Sequence, residues 1–206
     1  MRLPKVRELK EAITALIQGP YTHPFPAKPT PVPDNLRAAP KYDADYCIGC
    51  GACAEVCPAR AIKVEDIFEG ERPIRRLTCD YSNCIFCGEC HLNCTTTEGI
   101  RLSQEYELSY FDPEEARETI EHELVLCEIC GAVIAPLAQL RYLSGKLGSL
   151  AFSNPTVYLA EAREQQIIPH SPGRGERAID RWDIVRITCP RCRRNILLKE
   201  EWGPVI

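Results

Sequence analysis

Twelve of the thirteen cysteines fall into four tight groups, and the two larger groups share one spacing. The first runs Cys47-Ile-Gly-Cys50-Gly-Ala-Cys53-Ala-Glu-Val-Cys57-Pro58, the second Cys84-Ile-Phe-Cys87-Gly-Glu-Cys90-His-Leu-Asn-Cys94, so both read C-x2-C-x2-C-x3-C. All four cysteines of one map onto the other at a constant offset of 37 residues, and Ile48/Ile85 and Gly51/Gly88 keep that offset. The chain therefore contains a duplicated half, and any fold must bring two copies of one cysteine loop to equivalent places.

The spacing has a chemical cause. Three thiolates two residues apart can wrap one iron-sulfur cube, while the fourth, carried off by the following turn, reaches the other cube. On this basis Cys47, Cys50, Cys53 and Cys94 hold one [4Fe-4S] cluster, and Cys84, Cys87, Cys90 and Cys57 hold a second. Gly51 and Gly88 allow unusual dihedrals and close backbone approach beside the metal. A disulfide framework would call for an export signal, whereas the N-terminus, Met-Arg-Leu-Pro-Lys-Val-Arg-Glu, carries charges where an apolar core should begin. Eight cysteines in doubled spacing also overshoot a single tetrahedral zinc site. The thirteenth cysteine, Cys79, stands outside both motifs and is expected as a buried free thiol.

Around this centre the chain divides into an N-terminal arm at 1–40, a cluster domain at 41–104 and a C-terminal segment at 105–206. Val6, Leu9, Ile13, Leu16 and Ile17 recur at helical spacing between Pro4 and Gly19-Pro20, which predicts a helix over 5–18. A helix so short is marginal alone, and its apolar stripe favours docking on a partner subunit over a membrane surface. Seven prolines between Pro20 and Pro40 then impose extended chain, either a linker or a docking strap. Inside the cluster domain, 61–65 and 74–77 alternate around Glu69-Gly70 and predict a hairpin, and Ile100-Arg-Leu repeats Ile62-Lys-Val. Thr95 stands where Pro58 stands in the first copy.

Beyond the cluster domain, Asp112-Pro113-Glu114-Glu115 has the pattern of a helix start, with the helix expected to end near Glu123. Helices are also expected over 136–144 and over 155–166, the latter capped by Asn154, followed by a loop at 171–176. Cys127-Glu-Ile-Cys130 and Cys189-Pro-Arg-Cys192 form two C-x-x-C knuckles, expected to build a four-thiolate site of the zinc-ribbon or rubredoxin kind, with zinc favoured over iron. Arg191, Arg193 and Arg194 are expected as a solvated basic edge. The fold class is α+β: a two-cluster domain with an N-terminal helix and extended arm, plus a C-terminal four-cysteine domain. The formal charge of −4 argues against a nucleic-acid binder, and no apolar run is long enough to span a bilayer. The cysteine usage implies a reducing, cytoplasmic setting.

The order of parts resembles the iron-sulfur subunit of formate hydrogenlyase and of group 4 membrane-bound [NiFe]-hydrogenase complexes, a relative of chain I of respiratory complex I. The resemblance rests on the N-terminal helix, the proline-rich approach, both bacterial-ferredoxin cysteine motifs, the stretch Ile100-Arg-Leu-Ser-Gln-Glu-Tyr-Glu-Leu and the terminal C-x-x-C pairs. It implies an electron-transfer subunit with no catalytic site of its own, passing electrons from a ferredoxin-type or formate dehydrogenase donor toward the small and large hydrogenase subunits or their complex I-like homologues, or in the reverse direction. Membrane association would come only through partner subunits, on the cytoplasmic side. Two rivals stand beside it: a chain I-like subunit of a quinone-reducing complex I-type enzyme, which the terminal knuckles disfavour, and a free two-cluster ferredoxin, for which the N-terminal arm is surplus.

Overall fold

The computed structural model describes residues 5–70, 72–168 and 179–199; the loop expected at 171–176 lies outside them. The chain forms two compact units, Met1–Leu36 and Arg37–Ile206. In the first, helix α1 (Val6–Gln18) opens where Glu8 accepts from the Lys5 amide at 3.0 Å and closes at Gly19, whose N–H donates to the Ala15 carbonyl. It buries none of its apolar stripe within this unit.

The second unit is built from the duplicated loops and the strands flanking them. Each motif passes through a left-handed glycine, Gly51 at φ 80° or Gly88 at φ 84°, into a single helical turn, α2 (Ala52–Glu55) or α3 (Glu89–Leu92). A side chain at either φ would be strained, which is why glycine stands there in both copies. Strand β1 (Pro40–Tyr42) precedes the first motif and β2 (Ile62–Ile67) follows it; β3 (Ile74–Asp80) and β4 (Ile100–Leu102) flank the second. The pairing crosses over. β1 runs antiparallel to β4, with Tyr42 opposite Ile100, and β2 antiparallel to β3, with Ile62 opposite Cys79 and Ile67 opposite Ile74. The strand that leaves one motif thus pairs with the strand that enters the other, and their buried faces meet in one core of Ala39, Cys53, Ile62, Leu77, Cys90 and Ile100.

The sheet continues as β2-β3-β5-β6, with β5 at Arg117–Leu126 and β6 at Val133–Pro136. This overturns the helix expected from Asp112 to near Glu123. Asp112 does cap a turn, its carboxylate accepting the Glu114 amide at 2.9 Å, but the chain then extends. Arg117, Thr119 and Glu121 face out while Glu118, Ile120 and His122 are half-buried, a period of two that the local cap signal obscured. Tertiary pairing decides the matter: Ile120 lies opposite Leu77, and Arg76 meets its register partner Glu121 at 2.7 Å. Within β2–β3, Arg75 binds its register partner Asp66 through two nitrogens at 2.7 and 2.9 Å.

After β6 come α4 (Leu137–Leu147), a 3-10 turn (Gly148–Ser153), α5 (Pro155–Glu164), a second 3-10 turn (Arg181–Val185) and α6 (Pro190–Leu197). Asn154 caps α5 as expected, its side chain accepting from the Thr156 amide at 3.1 Å. Leu140, Ala151, Val157, Ala160 and Ile187 form a second core between these helices and β6. Among the described residues no helix is long and apolar enough to cross a membrane.

Leu77, 1% exposed at the centre of β3, touches both the sheet and the motif loops. Leu77→Ala should cost about 2–5 kcal/mol, seen as a lower urea midpoint in anaerobic unfolding followed by circular dichroism. An unchanged midpoint would show that the packing around β3 does not support the motif loops.

Candidate metal centres

The eight motif cysteines face two hollows. One, about 300 Å³ with its open mouth, is lined by Cys47, Cys50, Cys53 and Cys94. The other, about 360 Å³, is lined by Cys57, Cys84, Cys87 and Cys90, with Cys79 beside them. Each hollow takes three cysteines from one motif and the last cysteine of the other. All thirteen thiols are free, and all lie among the described residues.

The backbone is arranged to favour thiolates. The Ala61 amide donates to Cys57 Sγ at 3.3 Å and the Phe86 amide to Cys84 Sγ at 3.4 Å. Burial acts in the opposite sense, pushing Cys47 up to about 11, Cys53 up to about 12 and Cys90 up to about 11. Without a cation in the hollow these groups stay protonated, so loading a metal must release their protons. Burial also opposes ionisation of Cys94, yet the Thr96 hydroxyl and the amides of Thr96, Ile100 and Gly99 hold it below the usual thiol value. Four convergent thiols, amides aimed at sulfur and an apolar lining match the needs of a [4Fe-4S] cube.

Two neighbours of these hollows escaped the reading of the sequence. Gly49, at φ +66°, leaves no room for a side chain, because a Cβ there would come within 2.8 Å of the His122 ring. His122 reaches this place from β5, 73 residues away in sequence. Its Nε2 is buried without a partner among the described residues, and burial lowers its pKa. The second is Tyr42, whose hydroxyl is buried beside the Cys53 thiol on the wall of the first hollow. Cys79, expected as a buried thiol, is 0% exposed.

The two terminal knuckles meet. Cys127, Cys130, Cys189 and Cys192 bring their Sγ atoms within 4.8 Å of one another, and Cys130 Sγ stands 3.7 Å from Cys189 Sγ. Bonds of about 2.3 Å in a tetrahedron set sulfurs about 3.8 Å apart, so the donor set fits one tetrahedral tetrathiolate ion. The first knuckle is the tip of the β5–β6 hairpin, closed by the Cys127 amide donating to the Ala132 carbonyl at 2.8 Å. The second starts α6, where the Cys192 amide donates to Cys189 Sγ at 3.5 Å. Although burial opposes it, amides of Cys189, Cys130 and Ile129 lower Cys127 to about 7.

Charged side chains support this site in ways the sequence hid. Glu128, within the first knuckle, is buried and ion-paired with Arg163 of α5 and, at 3.6 Å, with Arg186. Arg193 is not part of a solvated basic edge. Its guanidinium is half-buried and donates to Asn154 Oδ1 at 3.1 Å, to Thr156 and to Thr188, tying α6 to the cap of α5. Arg191 and Arg194 are exposed.

Residues 46–97 match the 4Fe-4S dicluster domain family. Formate hydrogenlyase subunit 6 of Escherichia coli is 35% identical over 126 residues, covering 60% of this chain and 67% of that protein. NADH-quinone oxidoreductase subunit I 2 of Geobacter metallireducens is 30% identical over 122 residues, covering 56% of this chain and 92% of that one. A chain of the archaeal membrane-bound sulfane sulfur reductase structure is 27% identical, with 56% of this chain and 61% of that chain covered and a TM-score of 0.39. With a duplicated cysteine motif, thiols gathered into hollows and relatives matched over two thirds or more of their length, the chain belongs to the family of 4Fe-4S iron-sulfur subunits represented by formate hydrogenlyase subunit 6 and NADH-quinone oxidoreductase subunit I.

Proposed function

We propose that Cys47, Cys50, Cys53 and Cys94 hold one [4Fe-4S] cluster, that Cys84, Cys87, Cys90 and Cys57 hold a second, and that the chain relays electrons within a membrane-associated oxidoreductase complex of the [NiFe]-hydrogenase or formate hydrogenlyase kind. The observation that carries this reading is the sorting of eight thiols into two hollows, each with three cysteines of one motif and the fourth of the other. Clusters bound in this way supply one-electron exchange without a bond to substrate being made. The chain's own work is to deliver the thiolates, aim amides at their sulfurs and exclude water. Cys53 and Cys90 belong to one buried core with Leu77, which keeps the two hollows adjacent.

Cys127, Cys130, Cys189 and Cys192 hold a zinc ion in a structural site of the zinc-ribbon or rubredoxin kind, clamping the β5–β6 hairpin to α6. The 1–40 arm is a docking element, since α1 has an apolar stripe that nothing among the described residues of its own unit buries. The relatives are subunits of multi-subunit complexes, and the partners we propose are the small and large hydrogenase subunits on one side and a ferredoxin-type or formate-oxidising donor on the other. Membrane attachment, on the cytoplasmic side, runs through those partners. A quinone-linked complex is the second reading, favoured by the 92% coverage of the NADH-quinone oxidoreductase subunit.

Anaerobic affinity purification with metal analysis and subunit identification tests these readings together. A hydrogenase relay should bring down a nickel-containing subunit, with about eight irons and one zinc per copy of this chain. A nickel-free membrane complex would shift the assignment to the quinone-linked enzyme, and a solitary iron-loaded protein would make it a free ferredoxin. Cys57→Ala should damage the cluster of Cys84, Cys87 and Cys90, and Cys94→Ala that of Cys47, Cys50 and Cys53, as read by electron paramagnetic resonance of each variant. Loss of only the neighbouring cluster in either variant would refute the interleaved assignment. Cys189→Ser should remove about one zinc while leaving about eight irons; unchanged zinc would remove the C-terminal assignment.

A further inference from the structure

The two hollows are alike in burial and unlike in the groups that face their sulfurs. Of its four motif cysteines each has one buried thiol, Cys53 or Cys90, and three half-buried ones. Main-chain amides approach the sulfurs of both. Side-chain hydroxyls, among the described residues, line only the first. Thr95 Oγ1 lies 3.4 Å from Cys50 Sγ and Thr96 Oγ1 lies 3.4 Å from Cys94 Sγ. The Gly99 amide donates to Thr96 Oγ1 at 3.1 Å, which occupies an acceptor position and leaves the hydroxyl proton for the sulfur. Tyr42 adds a buried hydroxyl on the same wall, beside the Cys53 thiol.

The internal repeat supplies a control within the molecule. At the offset of 37, Tyr42, Thr95 and Thr96 correspond to Cys79, Pro58 and Ala59. The side chains of Pro58 and Ala59 have no donor, and Cys79, fully buried on the wall of the second hollow, offers only a weak S–H. Thr97 and Arg60, the next pair, have matching left-handed φ of 65° and 50°, so the backbone repeats where the side-chain chemistry does not.

We propose that Tyr42, Thr95 and Thr96 make the cluster held by Cys47, Cys50, Cys53 and Cys94 the easier of the two to reduce, so that an electron on this chain rests there. This inference rests on the two-cluster reading above. Reduction adds negative charge that spreads onto the sulfurs, and donors aimed at those sulfurs bind the reduced state more strongly than the oxidised one. Nearby arginines do not reverse the order. Arg37 donates to the Cys87 carbonyl at 3.1 Å, but it is exposed and screened by solvent and salt. Arg75, beside Cys50, is bound to Asp66, which offsets its charge. The three residues are positioning residues: they leave ligation to the cysteines and set which cluster holds the electron.

The test is potentiometry followed by electron paramagnetic resonance on the full chain, wild type against Tyr42→Phe/Thr95→Val/Thr96→Val, with iron counted in each sample. The wild type should have two distinct midpoints. In the triple variant the higher one should fall, by about tenfold in the reduction equilibrium or about 59 mV for a one-electron couple, while the lower stays. Thr95→Val alone, at an exposed residue, should move the higher midpoint the same way by about threefold with iron content unchanged, and it carries the test if the triple variant loads poorly. Indistinguishable wild-type midpoints, a fall in the lower one, or an equal shift of both would overturn the inference while leaving two clusters in place. A wild-type iron count near four would instead remove the two-cluster reading itself.

Discussion

Everything in the cluster-bearing unit depends on the exchange of one cysteine between two copies of a loop. Cys57 leaves its motif and lines the hollow of the second; Cys94 does the reverse. That exchange explains why β1 pairs with β4 and β2 with β3, since a strand leaving one motif must run beside the strand entering the other. It also explains how so small a core is closed. Ile62, Leu77 and Ile100 come from three strands, and Cys53 and Cys90 cap the same cluster from the motif helices. Neither loop could bury its sulfurs alone, because the fourth wall of each hollow belongs to its twin.

Features governed by local spacing were legible in the sequence. α1, the β2–β3 hairpin and the Asn154 cap need only near neighbours to form, and each stands where the periodicity or the cap chemistry put it. The gathering of the terminal knuckles followed from thiol chemistry despite the separation of 59 positions from Cys130 to Cys189. The strand at Arg117–Leu126 was not legible. Its Asp-Pro-Glu-Glu prelude carries a genuine cap signal, and its alternation of Glu118, Ile120 and His122 gains meaning only once β3 offers an edge to pair with. Propensity gives way there to a partner that no window of sequence contains.

The missed residues share that origin. His122 matters because a β5 side chain packs on Gly49 in the first motif, and Glu128 because Arg163 and Arg186 converge on it from α5 and from the segment before α6. Arg193 looked like one of three exposed cations, yet it holds Asn154, Thr156 and Thr188 together, whereas Arg191 and Arg194 remain exposed. A residue type in a row of its own kind says little about which member turns inward. The repeat was more informative, since an offset of 37 pairs Tyr42 with Cys79 and Thr95 with Pro58 before any coordinate is known.

The C-terminal metal site and the first hollow are joined by a short mechanical path. The knuckle thiols pack against Ile134 of β6, and Ile134 also packs against the core that includes Leu140 of α4. Two residues further along α4, the Tyr142 hydroxyl donates to the Thr95 carbonyl at 3.3 Å. Thr95 is the residue whose own hydroxyl reaches Cys50. An ion that fixes the knuckles therefore also fixes β6 and α4, and through Tyr142 the loop whose hydroxyls face the sulfurs of the first hollow. An ion held by the knuckles would in this way help hold the loop whose hydroxyls face the first hollow.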